Sequence, residues 1–209
     1  MGRYIGPVCR LCRREGAKLF LKGERCFGSK CAFERRQGTP PGQHGRGRQA
    51  FSVYKIQLRA KQQVKRIFGL MEDQIRAYYE KATNAEGVTG TELLVALERR
   101  LDNMVYRMGL ASSRKEARQL VAHGHILVNN KRVNIPSYAV AVGDKIQLKE
   151  NSKKKPIVQQ AIAAAEARVL PEWVSLDKHE ISGTLKALPT REQLPDGLNE
   201  QMIVDLYSR

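Results

Sequence analysis

Four cysteines, Cys9, Cys12, Cys26 and Cys31, are the only ones in 209 residues. They form two short hooks, C-x2-C and C-x4-C, separated by thirteen residues. Four thiolates on two hooks can close one tetrahedral shell around a soft cation such as Zn²⁺. The residues around them are too polar for a core, so a metal would supply folding free energy to this lobe. An iron–sulfur cluster on the same ligands is the less favoured occupant. Four ordinary buried thiols are the bland alternative. Disulfides fit poorly with a chain that begins Met1-Gly2-Arg3-Tyr4-Ile5, which has no secretory apolar core and is expected in a reducing cytoplasm.

Charge sharpens this reading. The chain carries 37 Lys/Arg against 21 Asp/Glu, a net charge of +16. Residues 1–66 hold 17 of the cations and only 3 acids, whereas residues 171–209 hold 4 cations and 7 acids. A basic N-terminal third points to a polyanion, nucleic acid before an anionic membrane. No run of eighteen apolar residues suggests a membrane span. The acidic tail reads as a packing or protein-contact segment.

Periodicity places these groups on elements. Residues 37–50 are rich in Gly and Pro and read as a loop carrying Arg46 and Arg48. Ser52 caps a helix to about Phe68, with Val53, Ile56, Ala60, Val64 and Ile67 as its apolar stripe. Lys55, Arg59, Gln62 and Arg66 recur on another face. A second helix spans about 72–83. Thr89 and Glu92 suggest a capping box for a helix to about Met108, with Leu93, Leu97, Leu101, Met104, Val105 and Met108 inward. Ser113 caps a short helix bearing Arg114, Lys115 and Arg118. Ile126–Val128, an Asn129-Asn130 turn and Lys131–Val133 predict a hairpin. Further strands are expected at 138–140, at 145–148 and within 173–188. An Ala-rich helix is expected over 157–169, and a closing helix or strand over 201–207.

Two constellations suit phosphate. Lys55, Arg59 and Arg66, with Arg35, Arg36, Arg46 and Arg48 before them, form a face with few carboxylates nearby in sequence. Reversing Arg59 and Arg66 to Glu is therefore expected to weaken RNA binding and flatten its salt dependence. Arg114, Lys115 and Arg118 with the hairpin's Lys131 and Arg132 suit a structured RNA backbone. One Trp and few other aromatics argue against a single-strand stacking platform. Around these faces, Arg3, Tyr4, Arg10, Arg13, Arg14, Arg25, His44, Lys61, Gln62, Lys65 and His123 complete the candidate RNA surface. His123-Gly124-His125 reads as a helix end and strand start rather than a metal or acid–base pair. No G-x-x-x-x-G-K-[ST], G-x-S-x-G or H-E-x-x-H is present, so no catalytic set is expected.

Several stretches carry a resemblance: Met1-Gly2-Arg3-Tyr4, Pro41-Gly42-Gln43-His44-Gly45, Arg66-Ile67-Phe68-Gly69 and the run from Arg99 to Arg107. It continues in Arg118-Gln119-Leu120-Val121 with His123-Gly124-His125-Ile126, and in Asn199-Glu200-Gln201 to Arg209. Almost end to end, the chain resembles the bacterial small-subunit ribosomal protein S-four family, in its four-cysteine, zinc-binding branch.

The resemblance implies an α+β protein with a mostly helical first domain, a zinc-stapled N-terminal lobe and a mixed α/β RNA-binding domain. In this chain that gives a lobe and basic loop over 1–50 and a helical domain over 51–94, completed by the tail 190–209. The mixed domain would span 95–189, with the RNA-binding module at about 99–161. The family implies a primary 16S ribosomal RNA binder that nucleates assembly of the 5′ domain in the cytoplasmic small subunit. It further implies ribosomal protein S-five as a neighbour, with an effect on translational accuracy, and a place near incoming mRNA for Arg46 and Arg48. Asn199, Glu200, Gln201 and Tyr207 are protein-contact candidates. No homo-oligomer is implied, and control of its own mRNA is left open.

Two other classes compete with this reading. The same small module occurs in pseudouridine synthases and a tRNA synthetase, but no residues remain here for a catalytic domain. A zinc-dependent transcription regulator would bind duplex DNA by sequence instead.

Overall fold

Ser52 sits in extended backbone and its hydroxyl accepts the Lys55 N–H at 3.2 Å, which starts helix α3 (Val53–Ile67). This is one of ten helices in the computed structural model, which describes residues 2–36, 39–43, 45, 47, 51–165, 169–177, 180–195 and 197–208. The expectations for His44, Arg46 and Arg48 lie outside the described residues. No described helix is long and apolar enough to cross a membrane.

The chain divides into two compact units, residues 1–94 with 196–209, and residues 95–195. In the first, the cysteine lobe holds α1 (Cys9–Glu15), a 3-10 turn at Gly23–Cys26 and α2 (Ala32–Arg35). Then come α3, α4 (Glu72–Thr83) and the start of α5 (Thr89–Glu98), and α10 (Glu200–Tyr207) returns to pack on α3. Val64, Phe68, Leu70, Ile75 and Ile203 are buried here. Each such side chain is worth about 1.5–3 kcal/mol when removed from water.

The buried face of α3 differs from the expected stripe. Gln57, Lys61, Val64 and Phe68 are buried, whereas Val53 and Ile56 are exposed. The reason is non-local. Helix α10 covers the Gln57–Lys61 side, and its Tyr207 and the α4 residue Glu72 supply polar partners that make a buried lysine tolerable.

The second unit contains the end of α5, α6 (Leu101–Arg107), α7 (Arg114–Ala122), α8 (Glu150–Lys153) and α9 (Pro156–Ala165). The expected single helix to Met108 is broken at Arg99-Arg100. Arg100 is extended (φ −63°, ψ 137°), the Leu101 N–H donates to the Tyr138 carbonyl, and the Val140 N–H donates to the Arg99 carbonyl. The chain at 138–140, expected as a strand, therefore meets this break through a single bridge, Arg100 with Ala139. Thr89 opens α5 as its first helical residue rather than capping it.

Among the described residues, five antiparallel strands complete this unit: β1 (Ile126–Val128), β2 (Lys131–Arg132), β3 (Lys145–Leu148), β4 (Val174–Asp177) and β5 (Ser182–Leu185), in the order β2-β1-β3-β5-β4. Asn129 and Asn130 both adopt positive φ, 49° and 63°, as the hairpin turn requires. Ile126 pairs with Leu148 and Val128 with Ile146, so all four side chains enter one core with Met104, Met108, Val121 and Trp173. Gly183 lets β5 approach its neighbours, because a Cβ there would sit 2.7 Å from the Ser175 carbonyl oxygen. A helical first part and a small antiparallel sheet make the α+β class plain.

Candidate nucleic-acid interface

The cysteine hooks are set by α1 and by the turns that follow it. Cys12, Cys26 and Cys31 are buried, Cys9 is half-buried, and all four are free thiols. Burial pushes the Cys12 thiol above its ordinary range. The Leu19 backbone opposes this, and Cys26, Cys9 and Cys31 are near enough to add to the rise. Cys26 is likewise raised by burial, while the Lys22 N–H donates to its sulfur at 3.3 Å. N–H groups aimed at sulfur, four neighbouring thiols and no competing disulfide make this donor set chemically suited to a soft metal. The thiols are not drawn into a closed shell: no group of three or more His, Cys, Asp or Glu among the described residues is placed to hold an ion.

The expected basic face of α3 is corrected in one respect: it is compensated. Arg59 and Arg66 both pair with Glu15, at 3.0 Å for Arg59, and the Glu15 carboxylate is 1 % exposed. Lys61 and Lys65 both pair with Glu72, at 3.0 Å for Lys65. Burial lowers the pKa of Arg59, and Glu15 partly restores it. Glu15 stands 44 residues from Arg59, so no local window of sequence reveals that compensation, whereas Glu72 stands 11 residues from Lys61 and 7 from Lys65. Arg13 is also turned inward, donating to the Thr39 and Pro40 carbonyls at 2.7 and 3.1 Å. Gln62 is half-buried on the same helix, and Lys55 contributes its N–H to the Ser52 cap.

A different set of lobe cations faces solvent. Arg3, Arg10 and Arg14 are exposed, as is Tyr4, whose hydroxyl donates to the Pro7 carbonyl. Arg25, Arg35 and Arg36, all anticipated, are brought together with Lys30, which was not, around a cleft of about 310 Å³.

In the second unit, a buried network fixes α6 and α7. Burial raises the Glu98 carboxyl, but bidentate Arg107 (2.6 and 2.8 Å), Arg114 and Asn103 outweigh it and hold the carboxyl below its ordinary range. Arg114 donates to Asn103 Oδ1 at 2.7 Å and lies over the Tyr106 ring. Arg118 and Arg100 converge on Asp102, at 3.4 and 2.8 Å. Two of the three cations expected on this helix for RNA are thus structural struts. Lys115 lies exposed on the same helix.

The exposed cations lie instead on the hairpin edge. Lys131 and Arg132 form β2, an edge strand. Arg132 crosses Gly124, where any Cβ would collide with its guanidinium. His123 is exposed beside it. His125 contacts Lys155 Nζ and Ser152 Oγ, each at 3.0 Å. Burial first, then Lys155, His123, Lys149 and Arg132, lower the His125 pKa, so five basic groups share this edge. Three of them, His125, Lys149 and Lys155, are not among the RNA-binding residues expected from sequence. The β1–β3 register could have found Lys149, because pairing Ile126 with Leu148 sets it beside His125.

Two of the tail candidates serve α10 itself and two tie it to neighbouring helices. Asn199 caps it by accepting the Met202 N–H, Gln201 donates to Asp205, and Tyr207 donates to Glu72. Glu200 packs against Gly90.

Comparison with known proteins finds two family regions in the chain. Residues 3–98 match the family model described as the Ribosomal protein S4/S9 N-terminal domain, and residues 99–146 match the S4 domain. Over 100 % of both chains, the sequence is 54 % identical to the small ribosomal subunit protein uS4 of Citrifermentans bemidjiense. It is 55 % identical to that of Pelobacter propionicus and 54 % identical to that of Syntrophus aciditrophicus, again over 100 % of both chains. These are names of a ribosomal protein, not of an enzyme.

Proposed function

The chain belongs to the uS4 family of small ribosomal subunit proteins, and from that membership we propose that it works as a structural, RNA-binding component of the cytoplasmic small subunit. Its target in this reading is 16S ribosomal RNA. The observation that carries the reading is the sorting of cations. Arg59, Arg66, Arg114 and Arg118 are spent on internal carboxylates or amides, while lobe and hairpin-edge cations stay exposed. Exposed cations on a rigid frame suit phosphate contacts, which fix register and orientation and make affinity fall with salt.

The finer roles follow from the same reading. The protein docks early on the 5′ domain of 16S RNA and organises it for later proteins, gripping it through its lobe and its hairpin edge. The four cysteines hold one Zn²⁺, which would staple the lobe and so present Arg10, Arg25, Arg35 and Arg36. Neighbouring protein S-five meets the tail side, near Asn199, Glu200 and Gln201, and that contact bears on translational accuracy. Arg46 and Arg48 lie towards incoming mRNA. Support for these roles is the donor chemistry of the hooks and the exposure of Arg10, Arg25, Arg35 and Arg36.

The deciding experiment is a binding titration of the full chain against a 16S 5′-domain transcript from low to high salt, with an unrelated structured RNA as competitor. Tight, salt-dependent binding that the competitor fails to displace supports the reading. Equal affinity for both RNAs would leave only a basic protein.

A further inference from the structure

The cleft beside the second cysteine hook is lined by Arg25, Lys30, Arg35, Arg36 and Ala32, four cations and no carboxylate. No ion pair to any of the four is found among the described residues. Of the acids adjacent in sequence, Glu34 is taken by Lys18, and Glu24, next to Arg25, is exposed and forms no salt bridge with the four among the described residues. Arg25 Nε donates to the Lys30 carbonyl at 3.4 Å, which spans the hook from Cys26 to Cys31 and sets the guanidinium at the rim. Cys26 and Cys31, next to Arg25 and Lys30 in sequence, are buried, while the four cations stay exposed.

Four like charges around one concavity repel one another, and no ion pair among the described residues relieves this. An anion would. A guanidinium presents several donors in a fixed fork, and three of them with an ammonium match phosphate oxygens from several sides. About 310 Å³ holds phosphate groups but not a duplex. A smooth helical groove meets a convex or flat basic surface, whereas a concave cation-lined cleft fits backbone that protrudes and crowds its own phosphates.

We propose that this cleft seats adjacent phosphates of a protruding RNA segment, a bulge or tight turn, so that the second cysteine hook is a shape-reading element of the interface. The proposal rests on the RNA-binding reading above. The shared chemistry is the phosphate oxyanion, and its source is the RNA backbone rather than a free polyphosphate.

The test uses the full-length protein, the double variant Arg35→Gln/Arg36→Gln and, as a single change on the exposed loop, Lys30→Gln. Arg76→Gln, at a surface pair far from the cleft residues in sequence, is the control. Inorganic pyrophosphate is titrated against each protein alone and in competition with the 5′-domain transcript, and phosphate-ethylation interference maps the contacts. Pyrophosphate is expected to bind the wild type and the control and to displace RNA from them, with both effects lost in the double variant and weakened in Lys30→Gln. The interference map is expected to lose one tight cluster of neighbouring phosphates, and the slope of log K against log salt to fall by about 2 in the double variant. Even weakening across the map, or equal pyrophosphate competition in all proteins, would overturn the proposal. Pyrophosphate bound in the cleft without displacing RNA would overturn the RNA assignment. If the wild type does not prefer its transcript to unrelated RNA, the proposed target fails instead, and pyrophosphate binding to protein alone still decides whether the cleft holds phosphate.

Discussion

The Tyr207 hydroxyl donates to Glu72 Oε1 at 3.1 Å across 135 residues of sequence, tying α10 to the first turn of α4. Its ring stacks on Tyr79 at 4.7 Å between centroids, and Lys61 Nζ lies over it at 5.2 Å. One phenol thus holds a buried lysine, a carboxylate and an aromatic partner in register. Tyr207→Phe keeps the stack and removes only the hydrogen bond to a charged acceptor, so it should cost about 1–2 kcal/mol in urea unfolding of the first unit.

That loss carries a pH signature. Burial and then Glu72 raise the Tyr207 pKa, so its contribution is complete below the ordinary value of 10.0 and is lost as pH rises beyond it. Glu72 is pushed up by burial, but Lys61 and Lys65 outweigh this and leave it lowered. Its contribution is complete above 4.5 and is lost as pH falls through the folded value. The stability gap between wild type and Tyr207→Phe should be constant between those limits and narrow above pH 10. A gap that widened with pH would contradict the assigned bond.

Glu98 gives the second unit its acid limit. Its carboxyl is buried and held below the ordinary 4.5 by Arg107, Arg114 and Asn103. The stabilisation is therefore complete above pH 4.5 and disappears as pH falls through the lowered value. Glu98→Gln leaves Arg107 beside a neutral partner and should cost about 3 kcal/mol near neutral pH. It should also flatten the acid limb of stability against pH, read by circular dichroism melts at pH 3 to 7. Leu97→Ala, a cavity mutant of comparable cost, should keep the wild-type slope.

What could be read from the sequence was what local chemistry decides. The Ser52 and Ser113 caps and the Asn129-Asn130 turn depend on residues within three or four positions of one another, and each is formed. What could not be read was decided from afar. Val53 and Ile56 look like core, yet Lys61 is buried where Glu72 and the Tyr207 ring meet it, and Gln57 is buried one turn before it. Helix α5 ends at Glu98 because backbone at 136–140 takes the hydrogen bonds of residues 99–102. The candidate interface shows the same limit: the basic residues were visible, but which of them meet carboxylates depends on Glu15 and Asp102, placed by tertiary packing.

The cysteine lobe makes a prediction that needs no RNA. Few apolar residues support it, so a bound metal would contribute much of its stability. Protein purified without chelator should carry about one equivalent of Zn²⁺ by elemental analysis, on the four-ligand stoichiometry expected of such sites. Co²⁺ substitution should give thiolate-to-metal absorption. Cys12→Ser/Cys26→Ser should remove both signals and raise protease sensitivity within residues 9–36, while leaving melting of the second unit unchanged. A wild type free of metal and silent with Co²⁺ would return the four cysteines to plain thiols.

The sorting of cations yields the sharpest contrast between two equally charged pairs. Lys131 and Arg132 are exposed on an edge strand, whereas Arg59 and Arg66 share the nearly inaccessible carboxylate of Glu15. Neutralising Lys131 and Arg132 to Gln should leave stability within about 0.5 kcal/mol of wild type, as surface changes do, and lower the salt slope of RNA binding by about 2. Neutralising Arg59 and Arg66 removes the same formal charge but strands Glu15 in a buried setting, so it should cost about 3 kcal/mol or more of stability. The salt slope of the remaining folded protein should change by less than about 1. Urea unfolding and salt-series titrations on the wild type and the two double variants separate the two effects. If both pairs lowered the slope equally, the α3 cations would have to leave Glu15 when RNA binds, and the ion pairs would be a resting state that phosphate displaces.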